Sequence, residues 1–160
     1  MKPCLVVIDM QNAWLENPRC TPSLDDACEI VDHVAATFRE AGHPVIWVQD
    51  KESVQPGEHA FDLFGALPPD PDDVRVHKVA GNAFAEAGLP AALAACEADF
   101  LVLCGFRAEG CVLATAQGAA TAGHRFALLR DAVVSYDLAM VRAVEAMHPV
   151  LSWEVACVLG

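Results

Sequence analysis

Phe100–Gly123 reads FLVLCGFRAEGCVLATAQGAATAG, and the class of fold turns on this stretch. Phe100–Cys104 is an unbroken apolar run, the pattern of a strand covered on both faces. Cys111–Ala122 is a helix of small residues, and Gly123 stands just past its end, where a left-handed residue closes a helix. Phe126–Leu129 then returns as a strand. A strand, a tight connection, a helix and a second strand make a βαβ unit, which joins parallel strands.

The same alternation continues in both directions. Cys4–Ile8 (CLVVI) is another continuous apolar strand. Over Asp26–Ala41, Ala27, Ile30, Val31, Val34, Ala35, Phe38 and Ala41 form one helical stripe, with Ser23 as a cap and Gly42 beyond the end. Pro44–Val48 is a second strand, and Gln49–Asp73 is polar and rich in proline and glycine. Val74–His77 is a short third strand. Pro90 opens a helix to about Ala98, Asp137–Met147 is a helix ended by Pro149, and Val155–Leu159 is a last strand. The expected fold is one α/β domain over residues 1–160, doubly wound and Rossmann-like, with a mostly parallel sheet between two helical layers.

Composition narrows the function. Of the 160 residues 54% are hydrophobic and 20% charged, which suits a packed globule rather than a disordered chain. A net charge of −12 argues against nucleic acid or an anionic membrane as partner, because phosphates would be repelled. The seven cysteines are odd in number and form no C-x-x-C, so neither a dithiol redox motif nor a zinc knuckle is indicated. Met-Lys-Pro leads straight into a strand with no leader-like apolar region. No uncharged run approaches the ~20 residues of a membrane span, so a cytoplasmic location is expected.

In open parallel sheets, ligands bind beyond the carboxyl ends of the strands, where strand order reverses. The first strand ends at Asp9, the third at His77–Lys78, and the fourth at Gly105 with Cys111 just beyond. A carboxylate, an amine and a thiol therefore project toward one rim. Lys78 alone reads as an ordinary solvated lysine, whereas an acid leaving a buried strand is costly unless paired or functional. Cys111 occupies a strand-to-helix turn, where the helix dipole is expected to lower a thiol's pKa and free amides can hold an oxyanion. Rival motifs fail: Cys111-Val112 replaces the Lys-Ser/Thr of a P-loop, and there is no G-x-S-x-G elbow.

Three blocks resemble the isochorismatase-like cysteine hydrolases. They are Leu5-Val6-Val7-Ile8-Asp9-Met10-Gln11-Asn12, then His77-Lys78 with Asn82-Ala83-Phe84, then Gly105-Phe106 through Cys111-Val112 and Thr115-Ala116 to Asp131-Ala132. The resemblance spans nearly the whole chain. It implies a six-stranded parallel sheet carrying an Asp9–Lys78–Cys111 triad, and a cis peptide between Phe106 and Arg107. It further implies an oxyanion hole from the Arg107 and Cys111 amides and a pocket lined by Gln11, Trp14, Phe84 and Phe106. The implied activity is cofactor-free hydrolysis of a small amide or ureido compound through a thioester, in a homo-oligomer. Vinyl-ether hydrolysis on the same scaffold, or a non-catalytic binding or assembly role, are the alternatives.

Two departures from the family pattern stand out. Asp50-Lys51-Glu52 lacks the histidine of the metal-binding relatives, so no metal is expected; Asp50, Glu52 and His59 would be the only plausible ligands. Gly118 stands where relatives often carry an aspartate, which allows closer helix packing.

Overall fold

In the computed structural model, which describes residues 1–20 and 23–160, the first strand β1 (Pro3–Ile8) is buried along its whole length. Such a strand needs cover on both faces and partners on both edges. It pairs in parallel with β2 (Val45–Asp50) and β4 (Phe100–Phe106). β3 (Val74–Lys78) lies outside β2; β5 (Arg125–Val134) and β6 (Val150–Leu151) complete the other side. The order β3-β2-β1-β4-β5-β6, with every pairing parallel, places the reversal between β1 and β4.

Alternation along β1 divides the core. Leu5 and Val7 pack beneath α2 (Leu24–Glu40) and α6 (Trp153–Leu159), with Phe38, Trp47, Val102 and Ala156. Val6 and Ile8 face α3 (Gly88–Ala95), α4 (Leu113–Thr121) and α5 (Leu138–Met147), with Leu89, Leu93, Ala116, Val141 and Val144. The three-layer doubly wound arrangement is therefore present as expected. Ser23 caps α2, its Oγ accepting from the Asp26 amide at 3.4 Å, and Gly42 follows with φ 76°.

The end of the chain corrects the sequence reading. Val155–Leu159 is not a strand but most of α6, and the sixth strand is Val150–Leu151. A short apolar run fits either state; exposure here follows a helix, with Ala156 buried and Val155 and Val158 open to solvent. β5 is also longer than Phe126–Leu129. Leu103 pairs with Leu128 but Gly105 with Val133, so β5 carries extra residues there, with Asp131 at φ 62°. The strand then rejoins β4 through Val133 and Val134 and delivers Ser135 and Tyr136 to the rim.

At the reversal, Gly105 has φ 118°, and a Cβ there would lie 2.1 Å from the Ile8 carbonyl oxygen. Only glycine permits both that conformation and so close an approach of β4 to β1.

Candidate active site

Asp9 leaves β1 with φ 50°, in the left-handed region that aspartate enters more readily than most residues. Its side chain is buried. Lys78 starts from the far edge, on β3, and its stem reaches across the end of β2, where its register partner is Asp50. Lys78 Nζ lies 2.8 Å from Asp9 Oδ2 and 3.7 Å from Asp50 Oδ2, and it donates to Cys111 Sγ at 3.4 Å. One ammonium thus ties together two carboxylates and the thiol. Among the described residues, the buried Asp9 Oδ1 has no hydrogen-bond partner.

Cys111 sits in a wide, irregular turn, Ala108–Val112, in which Gly110 departs from helical geometry (φ −113°, ψ −110°). The Arg107 carbonyl accepts from the amides of Gly110 (2.9 Å) and Val112 (3.2 Å), folding the segment back toward the strand end. The Phe106–Arg107 peptide is cis.

Burial raises the carboxyl of Asp9 above the ordinary range, against the pull of Lys78. Burial works to lower Lys78, but Asp9, Cys111 and Asp50 outweigh it and hold the ammonium charged. The thiol of Cys111 is pushed up to about 12, first by burial and then by the charge of Asp9, with Lys78 opposing. The expectation of a dipole-lowered thiol is thereby overturned. The half-buried sulfur precedes the regular helix, and the adjacent carboxylate dominates its field. At rest the group is a thiol beside a lysine-paired carboxyl group.

A cavity of ≈ 350 Å³ opens over these groups. It is lined by Asp9, Asp50, Ser53, Gly110 and Cys111 together with Trp14, Phe106, Arg107 and Tyr136. Phe106 stacks on Trp14 at 6.3 Å between centroids and tilts against Tyr136 at 5.0 Å. The Tyr136 hydroxyl donates to the Trp14 carbonyl at 3.1 Å, and the buried Trp14 Nε1 has no hydrogen-bond partner among the described residues.

Two residues expected at the pocket are elsewhere. Gln11 is fully buried and works as a clamp. Its Oε1 accepts from the Asp50 amide at 2.8 Å, and its Nε2 donates to the carbonyls of Asp50 (3.1 Å) and Phe61 (2.9 Å). It holds Asp50 in place rather than lining the cavity. Phe84 borders a separate groove of ≈ 430 Å³ with Asn82, Gln117, Gly118 and His124, and does not line the cavity over the thiol.

Among the described residues, no three His, Cys, Asp or Glu side chains gather as a metal-ligand group. Asp50 Oδ1 instead accepts from the amides of Glu52 (3.0 Å) and Ser53 (2.8 Å), and His59 Nε2 lies 2.6 Å from Glu16 Oε1 at the surface. No helix is long and apolar enough to cross a membrane, among the described residues.

A model of the Isochorismatase domain matches residues 3–155. The chain belongs to the isochorismatase family. Two streptothricin hydrolases from Streptomyces noursei are 31% and 29% identical to it over 138 residues, 84% of this chain. Those alignments cover 50% and 55% of the relatives, so the chain spans about half their length. A secreted isochorismatase effector from Verticillium dahliae is 26% identical over 98% of this chain and 84% of its own. Among solved structures, N-carbamoylsarcosine amidase from Thermoplasma acidophilum superposes with a TM-score of 0.81 at 27% identity, covering 95% of each chain. An isochorismatase from Pseudomonas putida KT2440 shares the fold, with a TM-score of 0.86 at 22% identity over 96% of this chain and 89% of that one.

In this member of the isochorismatase family, sequence reasoning missed Tyr136, Ser53 and the pair Glu109–Ser135. Tyr136 and Ser135 lie beyond the irregular part of β5, which Arg130-Asp131 disguised as a strand end. The available signal was Val133-Val134, a second apolar pair directly after it.

Proposed function

We propose that this isochorismatase-family hydrolase cleaves a small amide or ureido C–N bond through a thioester on Cys111. One observation carries the reading: Lys78 Nζ lies within 2.8 Å of Asp9 Oδ2 and 3.4 Å of Cys111 Sγ at the base of the cavity. Asp9, made more basic than an ordinary carboxylate by burial, takes the thiol proton as Sγ attacks the carbonyl carbon. Proton transfer at the moment of attack suits a thiol that rests protonated. The oxyanion is held by the backbone amides of Arg107 and Cys111. Asp9 then returns the proton to the leaving nitrogen, and the C–N bond breaks. Water attacks the thioester with Asp9 as base, the C–S bond breaks, and the proton returns to sulfur. Lys78 stays charged throughout and offsets the negative charge that Asp9 and Cys111 share. Trp14 and Phe106 bound the space above the sulfur and favour a small, flat acyl group.

The similarity to N-carbamoylsarcosine amidase and to the streptothricin hydrolases supports C–N bond cleavage. The test is ammonia release across a panel of small amides and ureido compounds, with acid-quenched samples weighed intact. The expected result is turnover accompanied by an acyl mass increment on Cys111, both absent in Cys111→Ala. Ammonia release that survives Cys111→Ala would exclude the covalent route.

A further inference from the structure

Glu109 stands inside the turn that carries Cys111, between the two residues whose amides are proposed to hold the oxyanion. Both of its carboxylate oxygens are engaged. Oε1 accepts from Arg107 Nε at 2.6 Å, and Oε2 accepts from the Ser135 hydroxyl at 2.6 Å. Ser135 is fully buried just beyond β5. Its Oγ also accepts from the Asp137 amide at 3.4 Å, and Asp137 in turn caps α5 by accepting from the Ala139 amide at 2.8 Å. One carboxylate thus joins the residue after β4, the turn, the end of β5 and the start of α5. Burial works to raise its carboxyl, but the Ser135 hydroxyl, its own backbone amide and Arg107 outweigh it and hold the group below the ordinary range. Near neutral pH it is a charged acceptor, so both bonds are charge-assisted.

The turn needs such an anchor. A regular helix fixes its residues through a ladder of bonds to the fourth residue back. Here the Arg107 carbonyl takes the amides of Gly110 and Val112, and Gly110, the residue before the nucleophile, is non-helical and carries no side chain to pack. Acyl transfer nevertheless requires the sulfur and the oxyanion donors to keep a common aim, within a fraction of an ångström. We propose that Glu109 is a positioning residue: clamped between Arg107 and Ser135, it fixes the turn so that the Arg107 and Cys111 amides and Cys111 Sγ converge on one carbonyl. The role rests on the hydrolase reading above and deepens it, by naming what keeps the oxyanion hole in register with the nucleophile. Glu109 does not line the cavity, so it acts through its partners. Glutamine in its place keeps the span, its oxygen accepting from Arg107 Nε and its amide donating to Ser135 Oγ. Alanine breaks both links.

The experiment uses two probes of Cys111 and one measure of turnover, each per folded molecule. Acetaldehyde labelled with carbon-13 at its carbonyl is the first probe. Sγ adds to the carbonyl carbon, the C–S bond forms, the carbonyl π bond opens and the thiol proton passes to the oxygen. The resulting tetrahedral centre is followed by carbon NMR, with Cys111→Ala as blank. Iodoacetamide is the second probe: Sγ displaces iodide, and no oxyanion develops at the carbon attacked. In Glu109→Ala the affinity for acetaldehyde is expected to fall roughly 10- to 100-fold, the scale of a small misplacement of reacting groups, while the alkylation rate of Cys111 stays at the wild-type value. Amide turnover falls by a similar factor in kcat with KM held, because the lost alignment matters in the transition state. Glu109→Gln recovers most of both losses. Ser135→Ala, which removes a single hydroxyl and serves if Glu109→Ala does not fold, weakens the adduct in the same direction. The double variant is no worse than Glu109→Ala alone, as expected of two residues acting as one link. A weakened adduct with no amide turned over even by wild type upholds the positioning role, and the hydrolase reading alone falls. An adduct unchanged in both single variants, an adduct and an alkylation rate that fall together, or no adduct in wild type overturns the role.

Discussion

Two carboxylates in this molecule each hold a cation away from bulk water, and they titrate in opposite directions. Asp73, in the stretch before β3, takes Arg39 Nε (3.0 Å) and Nη2 (2.6 Å), Trp47 Nε1 (2.7 Å) and the Asp70 amide (3.0 Å). Burial pushes its carboxyl up, but Arg39, Trp47 and the Asp70 amide together bring it below the ordinary range. Asp9 has Lys78 on Oδ2 and, among the described residues, no hydrogen-bond partner on Oδ1, and burial prevails. A carboxylate whose acceptors are all filled holds the fold together; one left short of donors retains proton affinity, and that is what a base requires.

The largest effect expected from breaking this contrast is at Asp9. Asp9→Asn should reduce turnover by ~10²–10⁴-fold, the range for losing a general base. It should also bring the Cys111 titration down from about 12, because the Asp9 charge raises it. Lys78→Met should move the same titration upward, since Lys78 opposes that rise. Thiolate absorbance near 240 nm against pH reads both shifts, and movement in one common direction would refute the arrangement.

At Asp73 the outcome should be the reverse. Asp73→Ala strands Arg39 and the Trp47 indole N–H, costing about 2–3 kcal/mol of stability in urea unfolding, with turnover per folded molecule preserved. The pH dependence follows from the sign of each shift. The folded value of Asp73 lies below its unfolded value near ~3.9, so its contribution is present above that pH and is lost on acidification through the folded value. The stability gap between wild type and Asp73→Asn should therefore narrow below about pH 4. Asp9 runs the other way: its contribution is complete below about pH 3.9 and is lost as pH rises through its elevated folded value.

The smallest effect is expected where no charge is involved. A Cβ on Gly118 would lie 2.2 Å from Asn82 Oδ1, which accepts from the Phe84 amide at 2.8 Å. Gly118→Ala should cost roughly 1–2 kcal/mol by overpacking, seen as a lower urea midpoint, with the Cys111 titration unmoved.

What could be read from the sequence was whatever depends on period and order. The runs Cys4–Ile8 and Phe100–Cys104 gave the buried strands, and parallel topology then brought the ends at Asp9, Lys78 and Cys111 to one rim. What could not be read depends on direction and environment. Gln11 follows Asp9 by two residues, yet its amide turns inward to clamp Asp50. Phe84 lies in the segment after Lys78 but faces the other groove. Helix position suggested a low thiol pKa for Cys111, because sequence does not reveal how near a second charge will sit. Val155–Leu159 was ambiguous, since five apolar residues carry too little periodicity to separate strand from helix.

Lys78 reaches Asp9 from the outermost strand on its side, across the whole width of β2. Edge strands are the first parts of a sheet to fray, because one flank has no ladder to hold it. Under the proposed mechanism, catalytic competence is thereby tied to an edge strand of the sheet. On gentle warming or in low denaturant, turnover should decline before the core loses its structure, so that activity reports the attachment of β3 rather than the survival of the fold.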